Sequence, residues 1–559
     1  MNIKIIRQKK TECIVLALYI IGVSVLSAFH EACFDEAQAW EIARCASVRE
    51  ILTVIPHYEG HPPLWHLILL PFARSGAQFD VSLHLINILF STCAMGLLLF
   101  RSPFPKIVRY FLPFTYFFFY QYGVIGRPYS LMMLAVMLAA VTYTDRNRHP
   151  WNYILALCLM CLCSAYGIMI SGGLCAVWTA EILTELHRNK NLKSFWKDAR
   201  FWALCMILLL AAVLILMILP AEDCYYDNIE ENSTVQNLLS PRSWAVFLII
   251  SFDAWFGEYL SYARWSTNDT TLIIESAGSI IMWAMLIPLL MKNKKCLTYL
   301  IPYILFSGFM VFHYFSPHHM GIFIMFHIFI FWVMGAQPQG MEIPEYFRKL
   351  FGRIDSPAVK KSILGLAGAL CAVPVIYTAV SAWHEVRGLY SPACFAEFIQ
   401  ENHLEDRKIL LAWDVKSDSD SGADFYPTHY MPAPHAEIKA HHTEIAGLGS
   451  LLSVYFDRNI FMNFNISSPE DLYMHYRYKE DVGAVFEQWR NAGLPDFIID
   501  YCPIDEVYGE EMLKETEYVC IEEVEAGMIF KLNQKDMAHR IFIRKDLLAE
   551  YPQFHQIYS

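Results

Sequence analysis

The sequence predicts a polytopic α-helical membrane protein with a soluble α/β unit at its C-terminal end. Three observations carry this reading: the balance of residue types, the spacing of the apolar runs, and the segregation of charge toward the C-terminus. Hydrophobic residues fill 55% of the 559 positions and charged ones only 18%, a balance that suits a bilayer better than water. The apolar residues arrive in blocks. Residues 384–559, by contrast, hold 31 acidic against 15 basic side chains, a net of −16 beside −12 for the whole chain.

Stretches nearly free of charge run over 14–30, 81–100, 108–125, 128–144, 201–220, 271–291, 297–315, 319–336 and 361–382. Each matches the roughly 17 to 20 residues that cross a hydrocarbon core about 30 Å thick. The run 151–186 is too long for one crossing; a split at Ala165-Tyr166-Gly167 makes it a tight helical hairpin and brings the total to about eleven spans. Segments 60–76 and 243–262 are apolar but short or interrupted, and are expected to lie along the outer surface as juxtamembrane helices. The first span has a basic start and a Ser27-Ala28 step like a signal peptide, but its apolar run is longer than a signal core and reads as an uncleaved anchor.

Lys and Arg in short loops resist translocation and so set orientation. With the start (Lys4, Arg7, Lys9, Lys10) taken as cytoplasmic, the basic loops at Arg101/Lys106/Arg109, Arg146/Arg148, His187-Arg188-Asn189-Lys190, Lys292/Lys294/Lys295 and Arg348 to Lys361 all fall on that side. An odd number of crossings then puts residues 384–559 outside a multi-pass cell-membrane protein. Such an acidic surface excludes nucleic-acid binding, which needs clustered Lys and Arg.

Within the tail, 394–403 and 469–492 read as helices, and 408–413, 459–464 and 496–501 as short strands. Residues 518–533 would close the unit as a hairpin, and the Asp-, Ser-, Pro- and His-rich stretch 414–447 as a long loop. The 15 cysteines follow no metal-ligand spacing; Cys158, Cys161 and Cys163 suit buried packing. Cys33, Cys45, Cys224, Cys394, Cys502 and Cys520 fall outside, where disulfides are chemically allowed.

The first outer loop concentrates polar residues beside the membrane: Phe34-Asp35-Glu36-Ala37-Gln38-Ala39-Trp40, then Glu59-Gly60-His61-Pro62-Pro63-Leu64-Trp65. One reading is purely structural. Asp35 followed by Gln38 looks like a helix N-cap with its capping-box partner, Glu36 then favouring the positive end of the dipole, and the paired prolines set the angle of the next helix. The other reading is catalytic, and spacing alone leaves both open.

Together these segments resemble the extracytoplasmic-loop motifs of the GT-C glycosyltransferases, in particular the lipid-phosphosugar-dependent group that includes protein mannosyltransferases and the lipid A aminoarabinose transferase. The likeness rests on the Asp35-Glu36 pair after the first span, His61-Pro62-Pro63-Leu64, and Gly126-Arg127-Pro128-Tyr129 at the outer end of a hairpin. It covers roughly residues 1–380, while the tail matches only in position.

The resemblance implies a GT-C transmembrane catalytic domain over 1–383, with outer juxtamembrane helices at 35–76 and 243–262, and an extracytoplasmic α/β domain over 384–559. It also implies an inverting glycosyltransferase that moves a hexosyl or pentosyl group from a polyprenyl-phosphate donor to an extracytoplasmic acceptor: a glycan, a lipid or a protein. Such a reaction needs a carboxylate to take the acceptor's proton and fixed groups to hold the departing phosphate. Asp35 matches the family's base, with Glu36 as its catalytic neighbour; His61, Arg127, Tyr129, His318, His319 and Arg264 would serve the substrate. Gly60-His61 stands where the aminoarabinose transferase has Glu-Lys, which weakens carry-over of a metal site, although Glu59, His57, His61, His318 and His319 offer ligands suited to Zn²⁺ or Mn²⁺.

Each has a plainer reading too: Arg127 as a headgroup anchor, Tyr129 as part of an interfacial aromatic belt, the Phe and Tyr run at 111–122 as packing. The rival function is a transporter or lipid-binding scaffold with a structural acidic loop. Transporters carry ionisable groups near the bilayer midplane, whereas here the polar motifs gather at the rim.

Overall fold

The computed structural model describes residues 9–190, 192–224, 238–256, 269–313, 317–352, 357–387, 393–411, 447–477, 482–499, 504–530 and 533–557. The chain is a helical bundle with a small sheet near its C-terminus. From the N-terminus the main helices are α1 (Lys10–Ser27), α2 (Phe34–Cys45), α3 (Leu64–Ala73), α4 (Phe79–Arg101) and α5 (Tyr129–Tyr143). A hairpin follows, α6 (Pro150–Cys163) and α7 (Ala165–Arg188), then α8 (Ala199–Ile218) and α9 (Pro241–Phe256). The bundle ends with α10 (Asp269–Lys292), α11 (Cys296–Phe312), α12 (Gly321–Gly335) and α13 (Pro357–Val386). Seven helices among the described residues are long and apolar enough to cross a membrane; α5, α6, α9 and α11 are apolar but shorter.

The α6–α7 break falls at Ser164, one residue before the expected split. Its extended backbone stops the first helix, and its hydroxyl accepts the Tyr166 N–H at 3.2 Å to open the second. Glycine is required nearby, since a Cβ on Gly167 would stand 2.0 Å from the Met160 carbonyl oxygen.

Segment 108–125, expected as a regular span, is not one helix. It crosses from Arg109, paired with Glu12 of α1 at 3.5 Å, to Arg127, paired with Asp35 at 3.2 Å. On the way it breaks into a short helix (Lys106–Phe111), a 3₁₀ turn (Leu112–Phe114), an extended Thr115 and a π turn (Phe117–Gln121). Pro113 supplies no N–H to continue the ladder, and the six aromatics of 116–122 turn inward: Tyr116, Phe117, Phe118, Phe119, Tyr120 and Tyr122 are all buried in the main core. The run at 111–122 is therefore chiefly packing. The described part of segment 243–262, residues 243–256, also departs from expectation. Instead of lying on the surface, α9 enters the bundle, with Trp244 against Phe312 of α11 and Ser251 bonded to His327 in the middle of α12 at 3.1 Å. Ile250 and Ala254 belong to the main core.

In the tail, α14 (Ala393–Glu401), α15 (Gly447–Ser453) and α16 (Val482–Ala492) surround a four-stranded sheet. Strands β1 (Ile409–Leu411), β2 (Phe497–Ile499), β3 (Tyr518–Phe530) and β4 (Asn533–Arg544) are ordered β1-β2-β4-β3, with β1–β2 parallel and the other pairs antiparallel. The hairpin is longer than 518–533. Segment 459–464 is no strand; it touches the sheet through one bridge, Ile409 to Phe461, because Asn463 spends its side chain on both the N–H and the C=O of Leu411. Helix 469–492 shortens to α16, since Asn465 captures the carbonyls of Asp471 and Tyr473 and holds the preceding stretch in turns. Residues 414–446 of the expected loop, Cys502 and Arg264 lie outside the described residues, and Cys33, Cys45 and Cys520 carry free thiols.

One core joins this tail to the start of the chain. Trp40, Trp65, Leu69 and Leu83 share a buried cluster with Ile409, Leu452, Phe464, Phe497 and Ile541. Gln38 fastens the joint. Its amide donates to Glu59 (2.8 Å) and to the Met474 carbonyl (2.9 Å), and its oxygen accepts from Ser450 (2.6 Å) and the Met474 N–H (2.8 Å).

Candidate functional site

Four pieces of chain meet at the end of the bundle beneath the tail: the opening turn of α2, the Glu59–Pro63 corner, the Gly126–Arg127 turn before α5, and the 3₁₀ turn Pro317–Met320 before α12. Each is held there by a local cause. At α2 the N-cap is Cys33, not Asp35, because the Glu36 carboxylate reaches back to the Cys33 N–H at 2.9 Å. Gln38 is thereby free for its bonds to the tail, and Asp35 sits in the first turn with no capping duty. At the corner, Gly60 takes φ 64°, a left-handed conformation that glycine adopts at no steric cost, and Pro62-Pro63 start α3 in a new direction.

Glu36 turns inward. It is wholly buried, one oxygen accepting from the Gly126 N–H and the other from Cys33 and His30, the latter at 2.9 Å. Its oxygens are engaged in fixing the Gly126–Arg127 turn against α2, where Asp35 beside it stands open. A Cβ on Gly126 would lie 2.6 Å from Leu83 and 3.0 Å from that carboxylate, so only glycine lets the turn approach.

The turn presents Arg127, whose Nη1 lies 3.2 Å from Asp35 Oδ2; the arginine side chain is 12% exposed and the aspartate 40%. The cation is thus sunk in the wall and the carboxylate stands open. Burial works against the Arg127 charge, but Asp35, Tyr129 and Glu59 hold its pKa above the ordinary value. Burial, with Arg127 adding repulsion, pushes His61 down to about 3, so its imidazole is neutral. Burial raises Glu59 to about 7, against the pull of Gln38 and Arg127.

Tyr129 stacks on Tyr122 at 5.1 Å and packs against His318 and His319 at 5.4 and 5.8 Å between ring centres. The Tyr122 hydroxyl donates to the His318 carbonyl, and Tyr166 meets His319 Nδ1 at 3.0 Å. The sequence-expected residues Asp35, His61, Arg127, Tyr129, His318 and His319 therefore lie together at this end of the bundle.

The expected metal set is dispersed. His57 turns away to the Leu219 carbonyl at 2.6 Å, and Glu59 binds Gln38. The histidines and carboxylate grouped at metal-ligand spacing are instead His30, Glu36 and His84. Sequence reading passed over His30 and His84 because each ends or interrupts an apolar run; an ionisable group inside such a run is itself a signal.

No known protein family, curated protein or solved structure matches this chain.

Proposed function

We propose that the chain is a GT-C-type membrane glycosyltransferase that moves a sugar, with inversion, from a polyprenyl phosphate to an acceptor hydroxyl on the extracytoplasmic face. The observation that carries the reading is the open carboxylate of Asp35 held 3.2 Å from the sunken guanidinium of Arg127, at the mouth of an apolar bundle. A lipid-linked donor leaves its chain in the bilayer and presents its phosphate and reacting carbon at such a mouth.

Asp35 takes the proton of the acceptor hydroxyl as its oxygen attacks the anomeric carbon. The bond from that carbon to the phosphate oxygen breaks, and the bonding pair leaves with the phosphate. Arg127, whose buried Nε has no hydrogen-bond partner among the described residues, receives the growing negative charge. Neutral His61 offers a hydrogen bond beside this pair, and buried Tyr129, stacked on Tyr122, backs the two histidines. No metal enters this scheme, since the groups here divide base and phosphate binding between them.

Asp35→Asn tests the reading. Because Cys33 caps α2, the substitution leaves the helix start intact, and Asn still fits the space. Sugar transfer from a polyprenyl-phosphate donor should fall on the order of 10² to 10⁴ with the melting temperature nearly unchanged; near wild-type transfer sinks the proposal.

A second reading has one observation in its favour. Asp253 of α9, Glu275 of α10 and His327 of α12 are all buried within the bundle, the placement expected of ion-coupled transport. Ion-dependent uptake into vesicles that Asp253→Asn abolishes and Asp35→Asn spares would select it.

A further inference from the structure

On the far side of Glu36 from Asp35, three buried side chains converge. His30 lies between α1 and α2, Glu36 in the first turn of α2, and His84 in the first turns of α4; one ligand atom from each lies within 4.8 Å of the others. His30 Nε2 is 2.9 Å from Glu36 Oε2, close to the edge between neighbouring ligands of one ion. His84 is 7% exposed, and its Nε2 has no hydrogen-bond partner among the described residues. Its ring is tethered through a hydrogen bond to the Asp80 backbone, which leaves Nε2 as the nitrogen free to bind.

The surroundings have the form of an outer coordination sphere. His30 Nδ1 sits 2.6 Å from Glu385 Oε1 at the end of α13, and Glu385 in turn accepts from the Tyr120 hydroxyl. Carboxylate and backbone partners on the second ring nitrogen are what orient metal-ligating histidines. Charge points the same way. Glu36 and Glu385 are two carboxylates with side chains 0% and 10% exposed, and a divalent ion beside them would balance their charge and use the His84 Nε2 that the described residues leave without a hydrogen-bond partner.

We infer that His30, Glu36 and His84 bind one divalent transition-metal ion of the borderline class, Zn²⁺ foremost, with Glu385 and the Asp80 backbone as second-sphere partners. Two imidazoles and one carboxylate suit such an ion. The ion's work is positional: through Glu36 it locks the Gly126–Arg127 turn against α2. The inference does not depend on the transferase reading, because metal content is measured without assaying transfer.

The full chain, purified in detergent without chelators, should carry about one equivalent of metal by elemental analysis, or take it up from added Zn²⁺. His84→Gln, eluting as wild type on size exclusion, should hold at least about tenfold less. Wild-type protein that neither carries nor acquires metal overturns the site, and so does folded His84→Gln that retains a full equivalent. Should His84→Gln not fold, Co²⁺-loaded wild type decides: visible bands of nitrogen and oxygen ligation support the site, and a sulfur-to-metal charge-transfer band, which would place the ion on cysteine, overturns it.

Discussion

An arginine with little exposed surface, facing a carboxylate with much more, divides labour at the scale of single residues: one group is fixed and the other can meet a ligand. Arg127→Ala should weaken donor use at least tenfold in apparent affinity. Arg127→Lys should restore only part of it, because an ammonium keeps the charge but not the planar pair of donors; unchanged donor kinetics in both variants would return Arg127 to headgroup anchoring. Glu59 makes a pH prediction. Its folded value of about 7 lies above the 4.5 of a free carboxyl, so between these values the native state binds more protons than the unfolded state. Stability then falls as pH rises through that window. Glu41, also raised to about 7 by burial against the pull of Arg44, acts in the same sense, so the informative quantity is a difference: Glu59→Gln should lose less melting temperature than wild type between about pH 5 and about pH 8. Equal losses would show that Glu59 titrates normally. The types and order of Asp35, His61, Arg127 and Tyr129 were legible in sequence. That Glu36 turns inward while Asp35 turns outward was not, since neighbours in a helix differ in facing by a rotation that only packing anchors.

Helices in this bundle approach closely where glycine allows it. A Cβ on Gly173 of α7 would stand 2.6 Å from Pro302 Cα and 2.7 Å from its nitrogen in α11, atoms of the main chain that cannot swing aside, whereas Gly172 has nothing within 4 Å. Gly173→Ala should therefore force α7 and α11 apart at a cost of about 1 to 3 kcal/mol. Gly172→Ala, the control next door, should be neutral or slightly stabilising, as Ala is the better helix former. Melting curves of both in the same detergent test this, and equal stability would mean the two helices are not in such contact. The broken crossing at 106–127 belongs to the same scale. Its composition passes for a span, but Pro113 and a run of large aromatics drive it off the helical path.

Across the whole molecule, the buried cluster that unites α2, α3 and α4 with the tail sheet, together with the Gln38 clamp, puts the acidic unit on the same end of the bundle as Asp35. With basic loops at the opposite end, that end should face outward. A cysteine replacing the exposed Asp406 should react with a membrane-impermeant maleimide on intact cells, while one replacing Lys190 should react only after permeabilisation. The reverse pattern would invert the topology and displace the proposed active site.

The sequence by itself determined which stretches avoid water, because burial in lipid acts on each residue according to its own composition and needs no partner. It also determined the small sheet's two shortest strands and the kinds of groups available in the loops around Asp35. Tertiary structure alone decided what those groups do. His30 meets Glu385 across 355 positions and Gln38 meets Met474 across 436, contacts that leave no period or spacing in the chain. The same holds for 459–464, whose strand-like residues are diverted when Asn463 bonds to Leu411. Apolar pattern is a local and additive property of the chain, whereas a polar atom's role is set by whichever partner the finished fold brings within hydrogen-bond reach.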